Sequence, residues 1–314
     1  VTSTDTVGSL AGIPVVSGIV NAANRSGAVR KMMDSALGVH PEARVPEYHS
    51  KTLRKRLADR RDSGAQGDPG DNTRGRVALF ATCYGNYNEP HIGEDLTAVF
   101  EHNGIPVTIA EKERCCGMPK LELGDLEAVE QAKDANIPVL AALVDAGWDI
   151  VAPVPSCVLM FKQELPLMFP DDPQVQKVKA AIFDPFEYLM LRHKEGKLNT
   201  EFKHSLGNVA YHVACHQRVQ NIGAKTRDVL ALVPDTQVTP IERCSGHDGT
   251  YAVKSEFHEA SMKIVRPVVN RVKQAGADHY GSDCPMAGHQ IATGLKDESL
   301  PEHPISLLRK AYGL

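Results

Sequence analysis

VALFATC, residues 77–83, is a short run of apolar, β-prone residues that ends on a cysteine. A helix-like stretch follows at 93–103, then a second strand-like run, PVTIA, at 106–110. The same opening returns at NVAYHVAC, 208–215: Val77-Ala78 stands six residues before Cys83, and Val209-Ala210 six before Cys215. Working outward, the first copy continues with a long helix at 124–146, a strand DIVAPV at 149–154 and a helix at 185–195. The second continues with a helix at 223–232, a strand QVTPI at 237–241, a helix at 254–275 and a short strand before Cys284. Strands and helices that alternate through short loops predict parallel α/β units.

The cysteines repeat in register with these elements. Arg114-Cys115-Cys116-Gly117 matches Arg243-Cys244-Ser245-Gly246, and Pro155-Ser156-Cys157 matches Ser282-Asp283-Cys284. The gap between the first and second elements is 31 residues in one copy and 28 in the other. From Cys116 and Ser245 to the third element it is 40 and 38. Each cysteine element follows a predicted strand, and loops at the carboxyl ends of parallel strands converge on one crevice. Seven cysteines, with no secretion signal, argue against a disulfide scaffold. Buried core thiols have no reason to keep register. The spacing therefore predicts two metal sites: Cys83, Cys115, Cys116 and Cys157 in the first, and Cys215, Cys244 and Cys284 in the second. Iron–sulfur clusters are held by thiolates of this kind. Adjacent Cys115 and Cys116 suit two irons of one cluster better than one tetrahedral ion. Zinc competes at one site, because the first copy's four thiolates are enough to close a structural zinc centre. Gly117 and Gly246 are expected to let the backbone approach the metal.

At these residues the chain resembles the CCG-domain family. That family includes the cysteine-rich subunit of heterodisulfide reductase, the iron–sulfur subunits of glycolate and lactate oxidation systems, and a subunit of anaerobic glycerol-3-phosphate dehydrogenase. The likeness runs over residues 76–295, and HVACHQRV (212–219), RCSGHDGTY (243–251) and SDCPMAGHQIATG (282–294) look most similar to the last of these. The resemblance implies two similar, Rossmann-like α/β halves related by a pseudo-two-fold axis, with cysteine sites facing each other. It also implies electron transfer through 4Fe–4S clusters, up to two, or catalytic disulfide reduction at paired clusters.

The family's closing CxxC reads Cys157-Val158-Leu159-Met160 and Cys284-Pro285-Met286-Ala287 here, and Ser245 replaces one cysteine. These departures point away from five-thiolate clusters. They leave the second site with an open iron or a fourth ligand from His247, His212, His216 or His289, of which His247 lies nearest the cysteine-pair element. The CxxCxxCxxxCP run of fused family members is missing from this sequence. The electron donor is then expected to be a ferredoxin or flavoprotein subunit, or a segment before Val1; the chain's opening on Val1 fits a fragment, a processed form or an alternative start.

The domains expected are a helical arm and flexible linker at 1–75, a first module at 76–204 and a second at 205–314. Residues 8–38 read as two helical pieces, with Pro14 near the start of one and Gly38 closing the other. Val15, Ile19, Val20 and Ala23 form an apolar face expected to pack on the protein, with docking on a membrane or partner as the alternative. The basic run Lys51–Arg61 has six cations and one acid but no interleaved aromatics, in a chain of net charge −4. It reads as a solvated or partner-docking face, so no nucleic-acid partner is expected. Glu122, Asp125, Glu127 and Glu130 read as the solvated face of a helix. No G-x-G-x-x-G, Walker or nucleophile-elbow sequence occurs. No apolar run approaches the roughly 18–20 residues of a membrane span. A cytoplasmic protein is expected, in contact with the inner face of the membrane if its acceptor lies there.

The sequence reading is thus an iron–sulfur subunit relaying electrons between a flavin or ferredoxin donor and a quinone or thiol/disulfide acceptor. A heterodisulfide-reductase-like enzyme and a zinc-stabilised scaffold are its rivals. Both homo- and hetero-oligomers are compatible with it.

Overall fold

The computed structural model describes residues 4–60, 66–296 and 299–314. The arm holds α1 (Thr4–Ala11), α2 (Val16–Arg25), α3 (Gly27–Leu37) and the short α4 (Leu53–Arg56). The first cysteine-bearing part runs β1 (Val77–Leu79), α5 (Cys83–Tyr87), α6 (Pro90–His102), β2 (Val107–Ile109), α7 (Met118–Leu121), α8 (Leu126–Asp145), β3 (Asp149–Val151) and α9 (Pro155–Leu159). After a π turn at Met160–Glu164 it continues with α10 (Leu165–Met168), α11 (Pro173–Ala181), β4 (Ile182–Phe183) and α12 (Pro185–Lys194). The second part holds β5 (Gly207–His212), α13 (Cys215–Arg218), α14 (Lys225–Leu230), β6 (Thr236–Ile241), α15 (Ser255–Gln274), β7 (His279–Ser282), α16 (Pro285–Leu295) and α17 (Pro304–Tyr312).

The architecture is mixed α/β, dominated by helices, around two all-parallel sheets. Their orders are β2-β1-β3-β4 and β6-β5-β7, so in each sheet the first strand is central and the next two flank it. β1 is fully buried, as a parallel strand covered on both faces must be, which is why it reads as a continuous apolar run. β6 alternates in exposure and carries Pro240, a residue an edge strand tolerates because its missing N–H breaks no inner ladder. One apolar cluster joins Leu79 and Val107 of the first sheet to Val209 and Tyr211 of the second and to Ile305 and Leu308 of α17. α17 itself lies along α6, where Arg309 Nη1 meets Asp95 Oδ1 at 2.5 Å. The expected boundary near residue 204 therefore crosses a shared core.

The arm differs from its sequence reading in two ways. It forms three helices rather than two before Gly38, which closes α3 at φ 65°, and Pro14 lies in the bend between α1 and α2. The apolar face of α2 looks outward: Val15 is 76% exposed and Ile19 63%. The reason is polar. Asn21 exchanges two 2.9 Å hydrogen bonds with the Tyr48 backbone, and Ser17 is the residue of α2 that is buried, so the helix is held by its polar side. Among the described residues no single helix is long and apolar enough to cross a membrane; α1 and α2 pass that test together but meet at a 103° bend.

Residues 61–65, which include part of the expected linker, lie outside the described residues. The following segment is tied to α12: Arg192 Nη1 donates to Asp68 O at 2.7 Å, and Gly75 N–H donates to Tyr188 Oη at 3.1 Å. Within residues 51–59 of the basic run, Lys51, Lys55 and Arg56 are exposed, and Leu53 and Leu57 are buried anchors. Arg56 pairs with Glu94 at 2.7 Å.

Candidate metal centre

Each cysteine element stands where a parallel strand has just ended. β1 stops at Leu79, and Cys83 opens α5 after Thr82, a buried β-branched residue held at φ 59°. That conformation is costly. It is fixed here by the Thr82 hydroxyl, which accepts the Gly85 N–H at 2.9 Å and so caps α5. Cys115 and Cys116 follow β2, and Cys157 lies on α9 after β3. In the second sheet Cys215 follows β5, Cys244 follows β6 and Cys284 follows β7.

The first four thiols form one connected group. Cys83 Sγ and Cys115 Sγ are 3.9 Å apart. Cys116 lies between Cys115 and Cys157, and hydrogen bonding to those two thiols, with burial added, pushes its own thiol well above the ordinary range. Cys116 and Cys157 are 2% and 4% exposed. The loop is braced from three directions. Asn136 of α8 accepts the Arg114 N–H at 2.8 Å and donates to Cys115 O at 3.1 Å. Asp5 of the arm accepts the Cys115 N–H. Glu113 accepts the Ala81 N–H at 2.6 Å and pairs with Arg54 at 2.9 Å. Burial pushes the Glu113 carboxyl up to about 7 despite that arginine.

The second group is more open. Cys215 and Cys244 are exposed and Cys284 is half-buried. Burial, and then the neighbouring Cys244, raise the Cys215 thiol. Burial drives Cys284 up to about 11 against the opposing amides of Ala287 and Met286, with Cys215 adding to the rise. The Gly246 N–H donates to Cys244 Sγ at 3.3 Å. Ser245 is buried.

The two groups are neighbours. Gln220 Nε2 donates to Pro155 O at 3.1 Å, joining α13's end to α9, and His216 Nε2 lies 3.6 Å from Glu122. His303 binds both: its Nε2 lies 3.1 Å from Pro153 O and 3.1 Å from Asp283 O, the loops that lead to Cys157 and Cys284. Tyr84, beside Cys83, has its phenol raised by burial, then by Glu89 and by Cys284 of the other group.

The four histidines considered as a fourth ligand separate clearly. His212 is buried with both ring nitrogens engaged, to Ser282 Oγ at 2.9 Å and Arg243 O at 2.8 Å, so it ties the three loops of the second group together and has no free lone pair to offer. His289 Nε2 is bonded to Glu89 at 2.6 Å, but its Nδ1 is buried without a partner among the described residues, so His289 also keeps a nitrogen to offer. His216 faces Glu122. His247 is half-buried beside Gly246, and burial brings its imidazole down to about 4, which keeps it neutral and a potential donor.

Gly117 and Gly246 also let each loop pack closely against a helix. Both have positive φ, at 95° and 72°. A Cβ at Gly117 would come 3.3 Å from Ala132 Cβ of α8, and one at Gly246 would come 2.5 Å from Ser261 O of α15. The close approach is to the long helix behind each loop. Glu122 also lies in the turn before α8 and not on it, and Asp125 is that helix's cap, accepting the Ala128 N–H at 3.2 Å.

Thiols this close raise one another's proton affinity. A bound metal or cluster removes those protons and turns repulsion into ligation. The donor set, four sulfurs in one group and three in the other, fits a thiolate-bound metal. The cysteine-rich CCG domain model matches residues 77–162 and 209–292, the two stretches that carry these loops.

The chain belongs to the cysteine-rich CCG domain family.

Its relatives include a subunit of the anaerobic glycerol-3-phosphate dehydrogenase of Escherichia coli K12, 29% identical over 297 residues, covering 93% of this chain and 72% of the relative. The lactate utilization protein A of Bacillus cytotoxicus is 29% identical over 219 residues, covering 67% of this chain and 87% of the relative. That of Bacillus cereus G9842 is 31% identical over 217 residues, with the same coverages. In this CCG protein the supporting residues Asp5, Asn136 and His303 escaped the sequence reading. A lone Asn inside a helix or a His before a proline carries no spacing signal. One signal was available: Pro138 and Pro267 are both the thirteenth residue of the 20-residue helices that follow the CCG and CSG loops.

Proposed function

We propose that this chain is the iron–sulfur electron-transfer subunit of an oxidoreductase complex. The observation that carries the reading is the convergence of seven cysteines, from six strand ends of two parallel sheets, into two adjacent groups. Cys83, Cys115, Cys116 and Cys157 hold a 4Fe–4S cluster. Cys215, Cys244 and Cys284 hold a second, with His247 or an exogenous ligand at the remaining iron. The two modules, 76–204 and 205–314, are Rossmann-like halves related by a pseudo-two-fold axis, a reading supported by the shared strand order. A thiolate-bound cluster supplies one-electron redox chemistry.

The chain's own residues do the rest. In the first group the protein shields Cys116 and Cys157 from water, while Cys83 and Cys115 are half-buried. The Gly246 amide places a hydrogen bond on Cys244, a contact that tunes reduction potential. The exposed Cys215 and Cys244 make the second group the one that meets a redox partner. By likeness to a subunit of anaerobic glycerol-3-phosphate dehydrogenase, the donor is a flavoprotein or ferredoxin subunit and the acceptor a quinone or a membrane-associated protein. The outward apolar face of α2 supports docking of such a partner at the cytoplasmic face of the membrane.

The test is anaerobic purification followed by iron, zinc and acid-labile sulfide analysis. Iron and sulfide in equal amounts, near eight of each per chain when both sites hold a cubane, are expected. Zinc without sulfide would replace this reading with that of a zinc scaffold. A second reading, thiol/disulfide reduction at the second group, is favoured by its three-thiol, partly exposed set. It predicts that a thiol or disulfide substrate alone perturbs that cluster's EPR signal.

A further inference from the structure

Away from the cysteines, His40, Glu42 and His258 come together where the arm meets the second part of the chain. Their donor atoms all lie within 4.8 Å of one another. The two imidazoles are stacked, with centroids 3.6 Å apart and planes 10° from parallel. They border a cleft of about 450 Å³, which Glu259, Met262 and Arg266 of α15 also line. His258 is buried, His40 half-buried and Glu42 exposed, so the group opens to solvent on its carboxylate side.

The backbone around the group is fixed. Val39 pairs with Lys254 in an antiparallel bridge, His40 N–H donates to Val253 O at 2.9 Å, and Ser255 N–H donates to Gly38 O at 2.7 Å. Arg30 adds a bond from Nη2 to His40 O at 2.6 Å. The backbone at His40 is thus held by contacts that do not use its imidazole. His258 Nδ1 lies 3.2 Å from Ala252 O. A ring nitrogen that donates to a backbone carbonyl leaves Nε2 as the lone-pair donor, which is the usual support of a metal-ligating histidine. His40 Nδ1 accepts a 3.2 Å bond from the Glu42 N–H, so ligation by His40 exchanges that bond for one to the ion.

We propose that His40, Glu42 and His258 form a divalent transition-metal site, of the kind that takes zinc, and that the bound ion staples the N-terminal arm to α15. Two imidazoles and one carboxylate are a borderline donor set suited to Zn²⁺, with the fourth position left to water from the cleft. Tetrahedral donors at about 2.0–2.1 Å from zinc lie about 3.4 Å apart, so the three side chains, now within 4.8 Å, must close by rotation about their χ angles to bind the ion. The site contains no sulfur and is independent of the cysteine groups.

The test uses cluster-loaded, zinc-free protein, titrated anaerobically with ZnCl2 against a colorimetric chelator, followed by zinc K-edge EXAFS. One added zinc per chain is expected, with a nitrogen/oxygen shell at about 2.0–2.1 Å and no sulfur at about 2.3 Å. His258→Ala should abolish this binding. Glu42→Gln, at an exposed position where folding is not at stake, should weaken it about tenfold or more. Zinc should also slow proteolysis within residues 26–50 of the wild type and not of Glu42→Gln. Iron and sulfide contents should stay unchanged in both variants, which separates this outcome from any failure of the iron–sulfur reading. A sulfur shell, no added zinc, or equal affinity in wild type and Glu42→Gln would overturn the proposal.

Discussion

The two cysteine groups are built from the same parts and finished differently. Both hang from a parallel sheet with its first strand in the centre, and both place a glycine at positive φ against the long helix that follows. The first group has four thiols, with Cys116 and Cys157 nearly inaccessible; the second has three, two of them exposed. A repeated scaffold fixes where the sulfurs go, while burial and ligand count set what each site can do. The more enclosed site buries two of its four thiols and leaves Cys83 and Cys115 half-buried. The open one has one sulfur fewer and faces solvent.

The sharpest break in that comparison comes from removing one sulfur at each site. Cys116→Ser should eliminate the first cluster and about half of the iron and sulfide while leaving the second cluster's EPR signal. Cys215→Ser should do the reverse. If either variant loses both signals, the two groups are one functional unit. If neither loses iron, the ligand assignment fails.

The glycines give the next largest effect. An alanine in the left-handed region costs about 1–2 kcal/mol, and at Gly117 only a small steric cost adds to this, because the new methyl would meet Ala132 Cβ at 3.3 Å. At Gly246 the methyl would sit 2.5 Å from Ser261 O, a backbone atom that cannot swing away, so Gly246→Ala should cost about 1–3 kcal/mol more. Chemical denaturation of the two variants measures the difference, and equal losses would show that the loops are supported alike.

His303 joins the two groups, and its pH response tests that joint. Burial lowers its pKa to about 4 from an ordinary 6.5, with the two carbonyls opposing the shift. The unfolded chain therefore binds the proton more readily. The stability carried by neutral His303 is complete above about pH 6.5 and is lost as pH falls towards 4, about 3 kcal/mol in all. His303→Gln, which keeps a donor for Pro153 O and Asp283 O, should flatten the stability–pH curve in that window. A curve parallel to wild type would mean that His303 is not the titrating group.

The finest test equalises the two sites. Ser245→Cys restores a fourth sulfur to the open group. The second cluster should then resist chelators for longer and show a lower reduction potential, since a thiolate donates more electron density than imidazole or water. An unchanged potential in a redox-poised EPR titration would place residue 245 away from the metal.

Much of this was legible in the chain itself, for a physical reason. Fully buried parallel strands must be continuous apolar runs, so VALFATC and NVAYHVAC announce themselves, and β1 and β5 lie within them or overlap them closely. The cysteines are legible because a repeated scaffold repeats its spacing. What could not be read were the parts fixed by single contacts between distant segments. β4 is two residues long. α2 has a helical apolar face, yet two hydrogen bonds between Asn21 and Tyr48 turn that face to solvent. His247 stood out by its place next to the cysteine-pair element, but only the fold showed that both ring nitrogens of His212 are engaged.

Local sequence specified the α/β class, the duplication and the positions of the seven cysteines, because periodicity and spacing are local properties that survive without coordinates. The packed fold set the burial that hides Cys116 and Cys157 and leaves Cys215 and Cys244 exposed. It alone set His303 between Pro153 and Asp283 and brought His40 and Glu42 of the arm to His258, more than two hundred residues away. Those features depend on which surfaces meet, and that follows from packing the whole chain into a shared core.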